Sequence, residues 1–555
     1  MEHTAFSYDV TMFKETFEHE FTYLNGFMRN VHRFADYPAV TCPLLGKTWS
    51  YRELNNEVNR LAHALIDEGF VQTDVVMYQL VNSIEFILCY LAPQKIGAIN
   101  CPINFRLAPG ETALIINDSK PKVFVYDSEF KNNVVQALNI AVHKPDKIIM
   151  VDQSQKEELP EGHILFEDYV LNRETANPKA IHTPHVYAEV TRLYTSGTTG
   201  LPKGVPLNNI NEVISAHDVI MHFPLSPKDV TMNMSPWFHR GGLHSGGPVP
   251  TLYVGAHVLI LRQFNPKICL ELTEKYQTTF LIGAPPMLKM LHDQQVKKPA
   301  DLKSLKGIVT MGAPLEKEAC IRFQKSLTPN IYNGYGTSEA FWNTFLRPYD
   351  LPEMAGTAGR SCTDDDVAVV KIYPDRRAEP WEHVEKNNQE TGEIIVKAPG
   401  KTTYAYINNV KDQQRVFYKG WIYIGDLGTW DENEYVTVVG RKDDMIISSG
   451  ENIHPVQVEE ILNEHPKVKE SVVVGAPDKL RGEAVTAYII KADPSLTARE
   501  LTEYCVNHPM LANYKRPRYY RFVDELPYTS TGKKMHFKVK EQAIKDLEAG
   551  SLERS

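Results

Sequence analysis

The segment LYTSGTTGLPKG at residues 193–204 contains the residue types that bind a chain of phosphates. Its glycines allow backbone N–H groups to turn inward and form an anion-binding concavity, and its hydroxyls add neutral donors. Lys203 adds a positive charge beside them. The hydroxyl and glycine residues are Thr195, Ser196, Gly197, Thr198, Thr199 and Gly200. The spacing differs from the GxxxxGK[ST] phosphate loop, and the alternative is a solvated Ser/Thr/Gly loop without a ligand.

The elements that must position this loop alternate between helix and strand over the first third of the chain. Ser50 and Glu53 form a capping-box pattern, and the apolar residues that follow lie on one helical face up to Gly69. Strands separated by helical patterns indicate parallel sheets that are covered on both faces, so the predicted fold class is α/β. Short apolar runs predict buried strands at 75–80, 122–127, 147–151, 280–283, 307–312 and 330–336.

The pattern changes after about residue 360. Segments 392–399 and 434–440 predict strands of a β-rich subdomain, and the polar segment 373–392 predicts an exposed hairpin or loop. Further on, SVVVGAP and AVTAYIIK are expected to pair as strands, with helices near 456–464 and 497–507. We therefore predict an N-terminal domain over 1–440, with its β-rich subdomain at about 360–440, a hinge at 441–443 and a C-terminal domain over 444–555.

The composition argues against several classes of protein. Sixty Lys and Arg residues against 69 Asp and Glu residues give a net charge of -9, so no global basic field favours nucleic acid or an anionic membrane. The seven scattered cysteines include no CxxC pair, which indicates cytosolic thiols and neither a disulfide framework nor a zinc ribbon. The N-terminal segment lacks the features of a signal peptide, and no run of 18 apolar residues predicts a membrane span.

The loop at 193–204 resembles the phosphate loop of the adenylate-forming superfamily, which contains acyl-CoA synthetases, peptide-synthetase adenylation domains and beetle luciferases. Six further segments resemble that family's motifs and follow in the family's order: GAPL (312–315), GYGTSE (334–339), GWIYIGDLG (420–428), GRKDDMI (440–446), SSGENI (448–453) and PYTSTGKK (527–534). The resemblance implies an N-terminal domain of αβαβα-type layered sheets with a β-rich subdomain. It also implies a smaller, mobile α+β C-terminal domain.

The resemblance implies a nucleotide site for ATP with Mg²⁺. Tyr335 is expected to stack on adenine, and Asp426 to accept hydrogen bonds from both ribose hydroxyls, since an ionised carboxylate is only an acceptor. Arg441 is expected on the ribose or phosphate side, and Glu339 as the metal ligand. The alternatives are surface ion pairs and a plain core aromatic. The remaining nucleotide-binding residues implied by the motifs are Gly312, Ala313, Pro314, Gly334, Gly336, Thr337 and Ser338.

The resemblance also implies how two negative reactants are brought together. Lys533 follows Thr-Gly directly, as in the family motif, and its ammonium would offset the charges of the acid and the α-phosphate. The C-terminal domain is expected to rotate about Asp443 between the two half-reactions. Gly450, Glu451 and Asn452 would then line the channel for the pantetheine arm of CoA. The implied catalytic residues are thus Lys533, Thr195, Lys203 and Glu339.

The acyl pocket is expected in segments that line it in relatives. His239 matches the aromatic gate between the acyl site and the CoA channel, and the positive charge of Arg240 argues against an amino-acid substrate. The bulky Phe341 and Trp342 predict a limited, flat pocket for an aromatic, alicyclic or short-to-medium-chain acid, although plain core aromatics are the alternative. The full set of pocket residues is His239, Arg240, Gly312, Ala340, Phe341 and Trp342.

The hypothesis from the sequence is an AMP-forming carboxylate–CoA ligase. An acid and ATP would give an acyl-adenylate and pyrophosphate, and CoA would then give the thioester and AMP, in a sequence that is reversible in principle. The open alternatives are an adenylation enzyme that serves a carrier protein, a luciferase-like oxygenase and a non-catalytic nucleotide sensor. The expected partners are a small carboxylic acid, ATP or AMP and CoA, with Mg²⁺ as cofactor, a cytoplasmic location and no nucleic acid. A homodimer is one open oligomeric state.

Overall fold

The computed structural model describes residues 9–153, 157–179, 182–196, 202–312, 315–373, 375–441, 446–453, 455–527 and 536–555, with the backbone alone at 196, 439–441, 452, 456 and 537. The first elements are α1 (Thr11–Glu20), α2 (Tyr23–Arg33), β1 (Pro38–Cys42), β2 (Lys47–Ser50), α3 (Tyr51–Asp67), β3 (Val75–Gln79), α4 (Ile84–Lys95), β4 (Ile99–Pro102), α5 (Pro109–Ser119), β5 (Val123–Asp127), α6 (Lys131–Ile140), β6 (Lys147–Val151), β7 (Ile164–Leu165), α7 (Phe166–Val170), β8 (Glu189–Ser196) and β9 (Pro202–Asn208).

The middle of the chain continues the alternation and then becomes rich in strands. Its elements are α8 (Asn209–His222), β10 (Val230–Asn233), α9 (Arg240–His244), α10 (Pro248–Val254), β11 (His257–Leu259), α11 (Pro266–Tyr276), β12 (Phe280–Gly283), α12 (Pro285–Lys297), β13 (Gly307–Met311), α13 (Lys317–Ser326), β14 (Ile331–Thr337), β15 (Phe341–Leu346), β16 (Arg360–Ser361), β17 (Asp366–Val370), β18 (Gly392–Lys397), α14 (Val410–Val416), β19 (Phe417–Tyr418), β20 (Trp421–Trp430) and β21 (Val436–Arg441).

The last part of the chain forms a separate α+β unit. Its elements are β22 (Ile446–Ser448), β23 (Glu451–Ile453), α15 (Pro455–Asn463), β24 (Val468–Asp478), β25 (Gly482–Lys491), α16 (Ala498–Asn507), β26 (Tyr519–Phe522), α17 (His536–Glu548) and β27 (Glu553–Arg554). We call residues 446–555 the C-terminal unit and the residues before it the N-terminal part.

Two large sheets organise the N-terminal part. One has nine strands in the order β16-β15-β14-β13-β12-β10-β11-β1-β2, and the other has seven in the order β7-β6-β5-β3-β4-β8-β9. Their central pairs are parallel, and the antiparallel pairs β1–β2, β14–β15, β15–β16 and β8–β9 lie at the edges. The predicted α/β class with parallel sheets is therefore confirmed.

The local signal at the start of α3 acts as expected. The hydroxyl of Ser50 accepts from the backbone N–H of Glu53 at 3.2 Å, and the Glu53 carboxylate accepts from the N–H of Ser50 at 2.8 Å. This reciprocal capping satisfies two N–H groups that the helix leaves unpaired. Leu54, Val58 and Leu61 on the predicted face are completely buried. The helix ends at Asp67, close to the predicted stop at Gly69.

The smaller sheets also follow the sequence pattern. One has the order β17-β18-β20-β19 with β21 paired to β20, and the sheet of the C-terminal unit has the order β23-β22-β25-β26-β27 with β24 paired to β25. The predicted pairing of SVVVGAP with AVTAYIIK is confirmed, since β24 and β25 run antiparallel with Val473 opposite Ala487. Of the predicted hairpin or loop over 373–392, the described residues up to 391 contain no strand, so they form a loop, and Gly392 already belongs to β18.

The seven cysteines are all buried free thiols, so the structure contains no disulfide among them. Among the described residues, no helix is both long and apolar enough to span a bilayer.

Candidate active site

The predicted phosphate loop is the connection of a β-hairpin. β8 and β9 pair antiparallel, with Thr195 opposite Lys203 and Ser196 opposite Pro202. The hairpin therefore brings two ends of the motif side by side, where sequence reasoning had only their spacing. The connecting residues Gly197, Thr198, Thr199 and Gly200 lie outside the described residues.

Lys203 is buried and paired rather than open to solvent. It is 4% exposed, and its Nζ lies 2.9 Å from Oδ2 of Asp412 in the first turn of α14. Burial raises the pKa of Asp412, but the hydrogen bond and charge of Lys203 outweigh it and lower that pKa below its ordinary value. Asp412 was missed by the sequence analysis because no motif marks it. The ammonium of Lys203 on β9 is thus already paired with the carboxylate of Asp412.

Glu339 occupies the turn between β14 and β15, and it is 8% exposed. The hydroxyl of Tyr406 donates to its Oε1 at 2.6 Å. The Tyr406 ring in turn lies 5.6 Å from the Nζ of Lys203. Burial and the charge of Glu339 raise the pKa of Tyr406, so this phenol stays protonated and remains a donor. Two motifs that are 136 residues apart in the sequence, at Lys203 and Glu339, are thereby connected through one aromatic side chain.

The residues around Glu339 suit a metal ion that takes most of its coordinating oxygens from a bound molecule and few from the protein. Among the described residues, the group of three side chains that could hold a metal ion is Asp218, His222 and Cys362, and it excludes Glu339. A single carboxylate with one oxygen already accepting from Tyr406 matches Mg²⁺ coordination, in which one or two carboxylates act together with phosphate oxygens.

The predicted adenine and ribose residues meet in the structure. The hydroxyl of Tyr335 donates to Oδ2 of Asp426 at 2.6 Å. Asp426 lies on β20, is 8% exposed, and pairs through the backbone with Arg441 on β21. The motifs GYGTSE, GWIYIGDLG and GRKDDMI therefore meet where β20 pairs with β21, although the side chain of Arg441 is not described.

A buried network of charges holds the turn after β14. Arg240 donates to the carbonyl of Ser338 at 2.6 Å and to the carbonyl of Lys401 at 2.8 Å. Lys401 donates to the carbonyl of Trp342 and to the carboxylates of Asp218 and Asp365 at 2.8 and 2.7 Å. The two cations thus fix both ends of the segment 338–342.

Arg240 is consequently a support for the turn after β14 and does not present its charge to open space. It is 3% exposed, and burial lowers its pKa to about 10. Its guanidinium lies 5.6 Å from the Phe341 ring centroid. The same network explains the cluster of Asp218, His222 and Cys362. The Lys401 ammonium lies against Asp218 and supplies the positive charge at that cluster.

Phe341 and Trp342 form a stacked pair at the start of β15. Their ring centroids are 4.9 Å apart with an interplanar angle of 14°, and they are 2% and 3% exposed. Phe341 has a φ of 58°, a left-handed conformation that is rare for a bulky residue. The indole of Trp342 packs on Gly334, and Ala340 is fully buried. Ala340, Phe341 and Trp342, which were predicted for the pocket, therefore form one buried segment. Gly312 directly follows β13, the strand that pairs with β14.

The loop predicted to contact CoA lies against the predicted gate. Glu451 is 3% exposed, and its Oε2 lies 3.6 Å from Nε2 of His239. Arg106 donates to the other oxygen, and the amide of Asn104 donates to Oε2 at 3.3 Å. Burial raises the pKa of Glu451, but His239 and Arg106 outweigh it and lower that pKa to about 2. Arg106 and Asn104 carry no motif, so only the fold identifies them.

Gly450 adopts a φ of 80°, and a Cβ placed on it would meet no atom within 4 Å. The glycine is therefore favoured by its left-handed backbone conformation, and no protein atom excludes a side chain at this position. The other predicted residues Ala313, Pro314, Asp443 and Lys533 lie outside the described residues, and the side chains of Ser196 and Asn452 are not described.

Similar proteins identify the family of this chain. A model described as "AMP-binding enzyme" matches residues 27–406, and one described as "AMP-binding enzyme C-terminal domain" matches residues 457–533. The indoleacetate–CoA ligase of Aromatoleum aromaticum is 31% identical over 488 residues, which cover 87% of this chain and 91% of that protein. The medium-chain fatty-acid–CoA ligase of Escherichia coli is 28% identical and covers 90% of this chain and 87% of its own length.

Solved structures give the same result. The o-succinylbenzoate CoA synthetase of Bacillus subtilis, bound to a product analogue, has a TM-score of 0.79 at 25% identity and covers 93% of this chain and 98% of its own. An amide bond synthetase from Marinactinospora thermotolerans has a TM-score of 0.81 at 25% identity, with 94% and 99% covered. The chain therefore belongs to the AMP-binding enzyme family, among the AMP-forming acyl-CoA synthetases of the adenylate-forming superfamily.

Proposed function

We propose that the acid activated by this ligase is compact and flat: an aromatic, alicyclic or short-to-medium-chain carboxylic acid. The observation that carries the proposal is the stacked, buried pair Phe341–Trp342 directly after the GYGTSE motif. Two large rings in this position leave less room for a long alkyl chain, and aromatic side chains pack well against a planar group. Several relatives are named for aromatic acids, namely indoleacetate, 2-succinylbenzoate and ferulate, and others are named for medium-chain or long-chain fatty acids.

In the first half-reaction, the acid carboxylate attacks the α-phosphorus of ATP and pyrophosphate leaves. We assign Thr195 and Lys203 of the β8–β9 hairpin to the phosphates, Tyr335 to adenine and Asp426 to the ribose. Glu339, held by Tyr406, would hold Mg²⁺ together with the phosphates of ATP. Mg²⁺ supplies neutralisation of the phosphate oxygens when it is bound. We assign Lys533 to the charge that develops between the acid and the α-phosphate.

In the second half-reaction, the CoA thiol attacks the carbonyl of the acyl-adenylate and AMP leaves. We assign Gly450, Glu451 and Asn452 to the channel that the thiol uses, with His239 at its inner end. The contact between Glu451 and His239 supports this, because it places the loop at the predicted gate. We further propose that residues 441–443 form the hinge that allows this arrangement to alternate with one that delivers Lys533.

Three arginines of the C-terminal unit support a third substrate that carries phosphates. Arg516 and Arg518 both donate to the carbonyl of Asn513, at 3.1 and 3.0 Å. Burial, followed by the charges of Arg516 and Arg481, lowers the pKa of Arg518. The carbonyl of Arg481 accepts from the N–H of Ser449, so the cluster adjoins the 448–453 loop. An anion such as the phosphates of CoA would relieve this repulsion.

The decisive experiment measures ATP–pyrophosphate exchange with Mg²⁺ over a panel of acids, and then AMP release with and without CoA. We expect exchange to be fastest with arylacetic, arylacrylic or medium-chain acids and AMP release to require CoA. Fastest exchange with palmitate-length acids would overturn the proposed acid class. Release of AMP that is independent of CoA but saturates with a carrier protein would overturn the assignment of the thiol substrate.

A further inference from the structure

A buried ion pair connects helix α5 of the N-terminal part with the C-terminal unit. The Nζ of Lys515 contacts Oε1 of Glu111, and the two residues are 404 positions apart in the chain. Gln457 completes the cluster: its amide nitrogen donates to Glu111 Oε1 at 2.9 Å, and its amide oxygen accepts from Lys515 at 3.0 Å. The three side chains are 1%, 3% and 6% exposed in the order Glu111, Lys515 and Gln457.

The backbone next to this ion pair also makes a direct contact between the N-terminal part and the C-terminal unit. The N–H of Gly110 donates to the carbonyl of Pro509 at 2.9 Å. A Cβ on Gly110 would lie 2.2 Å from Sδ of Met510 and 3.0 Å from the carbonyl oxygen of Pro509, so a larger residue would have to displace the Met510 side chain and would crowd the Pro509 backbone. The other carboxylate oxygen of Glu111 accepts from the N–H of Ala108 at 2.9 Å, which fixes the carboxylate on the first turn of α5.

The pair and the contact between Glu451 and His239 both join the C-terminal unit to the N-terminal part. Tyr514, the neighbour of Lys515, senses both carboxylates, because burial, followed by the charges of Glu451 and Glu111, raises the pKa of its phenol. Docking of the C-terminal unit therefore forms both contacts at once. The first places the CoA loop at the gate, and the second lies away from the reacting groups.

A charge pair of this kind acts through geometry more than through added stability. Removing two ions from water is costly, and their mutual attraction in a dry contact roughly offsets that cost only when the partners are correctly placed. Any other orientation of the C-terminal unit that kept Glu111 or Lys515 buried would leave a charge without its partner. The pair therefore selects one docked orientation. When the C-terminal unit leaves that orientation, the charged groups of Glu111 and Lys515 become exposed to water again.

We propose that Glu111 and Lys515 are positioning residues for the second half-reaction: their ion pair selects the orientation in which the Glu451 loop meets His239. The inference rests on the proposed function, since it concerns thioester formation from the acyl-adenylate. Adenylation needs a different orientation of the C-terminal unit, so it does not depend on this pair.

The test measures the two half-reactions separately in Lys515→Met and Glu111→Gln. ATP–pyrophosphate exchange reports adenylation, and a single turnover of the preformed acyl-adenylate with CoA reports thioester formation. We expect thioester formation to slow roughly tenfold or more, while exchange stays within about twofold of the wild type. The charge-swapped variant Glu111→Lys/Lys515→Glu should recover part of the lost rate, which a merely structural lysine would not do.

Lys540→Met is the matched control, because Lys540 pairs with Glu483 inside the C-terminal unit, at 2.6 Å, and should leave both half-reactions unchanged. Glu111→Gln leaves the sequence of the C-terminal unit intact, so it decides the matter if Lys515→Met fails to fold. Equal losses in both half-reactions, or none in either, would overturn the inference. Absence of exchange in the wild type with every acid would instead refute the proposed function.

Discussion

The phenol of Tyr406 joins the two charged residues of the proposed phosphate side. It donates to Glu339 at 2.6 Å, and its ring lies 5.6 Å from the ammonium of Lys203. Because Glu339 is 8% exposed, this donor both orients its carboxylate and compensates its removal from water. At the scale of single residues, Tyr406, which belongs to no motif, therefore orients the carboxylate of Glu339, which belongs to one.

Tyr406→Phe tests this role. It leaves a buried carboxylate oxygen without its donor, so we expect a loss of about 1–3 kcal/mol in the free energy of unfolding. We also expect slower ATP–pyrophosphate exchange, with a weaker response to Mg²⁺. Tyr404→Phe is the control, because it removes the hydroxyl of a partly buried tyrosine in the same segment. Equal effects of the two substitutions would contradict the assignment.

Phe341 combines a large side chain with a φ of 58°. In this left-handed region an alanine is strained by roughly 1–2 kcal/mol, whereas glycine is not. We therefore expect Phe341→Gly to be more stable than Phe341→Ala by about 1 kcal/mol, although glycine is usually the less favourable residue. Denaturant unfolding of the two variants measures the difference, and a more stable alanine variant would show that the conformation relaxes. Both should accept longer acids than the wild type in the exchange assay.

At the scale of elements, the hairpin β8–β9 and the helix α14 form one unit around a buried charge. Lys203 extends from β9, and Asp412 lies in the first turn of α14, where a carboxylate also suits the helix dipole. The Asn409 side chain caps the same helix by accepting from the N–H of Asp412 at 3.0 Å. The position of the hairpin therefore depends on a helix more than 200 residues away.

A double-mutant cycle on this pair measures the coupling. Asp412→Asn should cost about 3–5 kcal/mol because it leaves the ammonium of Lys203 buried without a counter-charge. The combination with Lys203→Met should cost less than Asp412→Asn alone, since it removes that unpaired charge. Chemical denaturation of the four proteins gives the coupling. Losses that simply add would mean that the two residues do not stabilise each other.

At the scale of the whole molecule, one buried lysine couples folding to pH. Lys95 on α4 is 8% exposed, and its Nζ donates to the amide oxygens of Asn55 and Asn177 at 2.9 and 3.2 Å. Burial lowers its pKa to about 8. The unfolded chain therefore binds more protons than the folded one between about pH 8 and the ordinary pKa of about 10.4.

We consequently expect Lys95 to make the folded state gain stability as the pH rises through this window. The difference in unfolding free energy between wild type and Lys95→Met should increase, in favour of the wild type, by up to about 3 kcal/mol between pH 8 and 10.5. The control is Lys298→Met, which removes a lysine whose side chain is already exposed to water. A flat difference for Lys95→Met would mean that water reaches its ammonium.

Sequence alone determined the elements whose signals are local. The Ser50–Glu53 cap, the apolar face of α3 and the strands β24 and β25 follow from neighbours a few residues apart, because helix and strand periodicity act over that distance. The ordered motifs likewise determined the family.

Only the tertiary structure decided which side chains complete the site. Tyr406 beside Glu339, Asp412 beside Lys203 and Lys515 beside Glu111 come from distant segments that carry no motif. Arg240 shows the same limit, since its position in the sequence did not reveal that its donors are used by backbone carbonyls. The physical reason is that burial and pairing of charges depend on how layers pack, and a linear pattern does not specify which distant polar groups then meet.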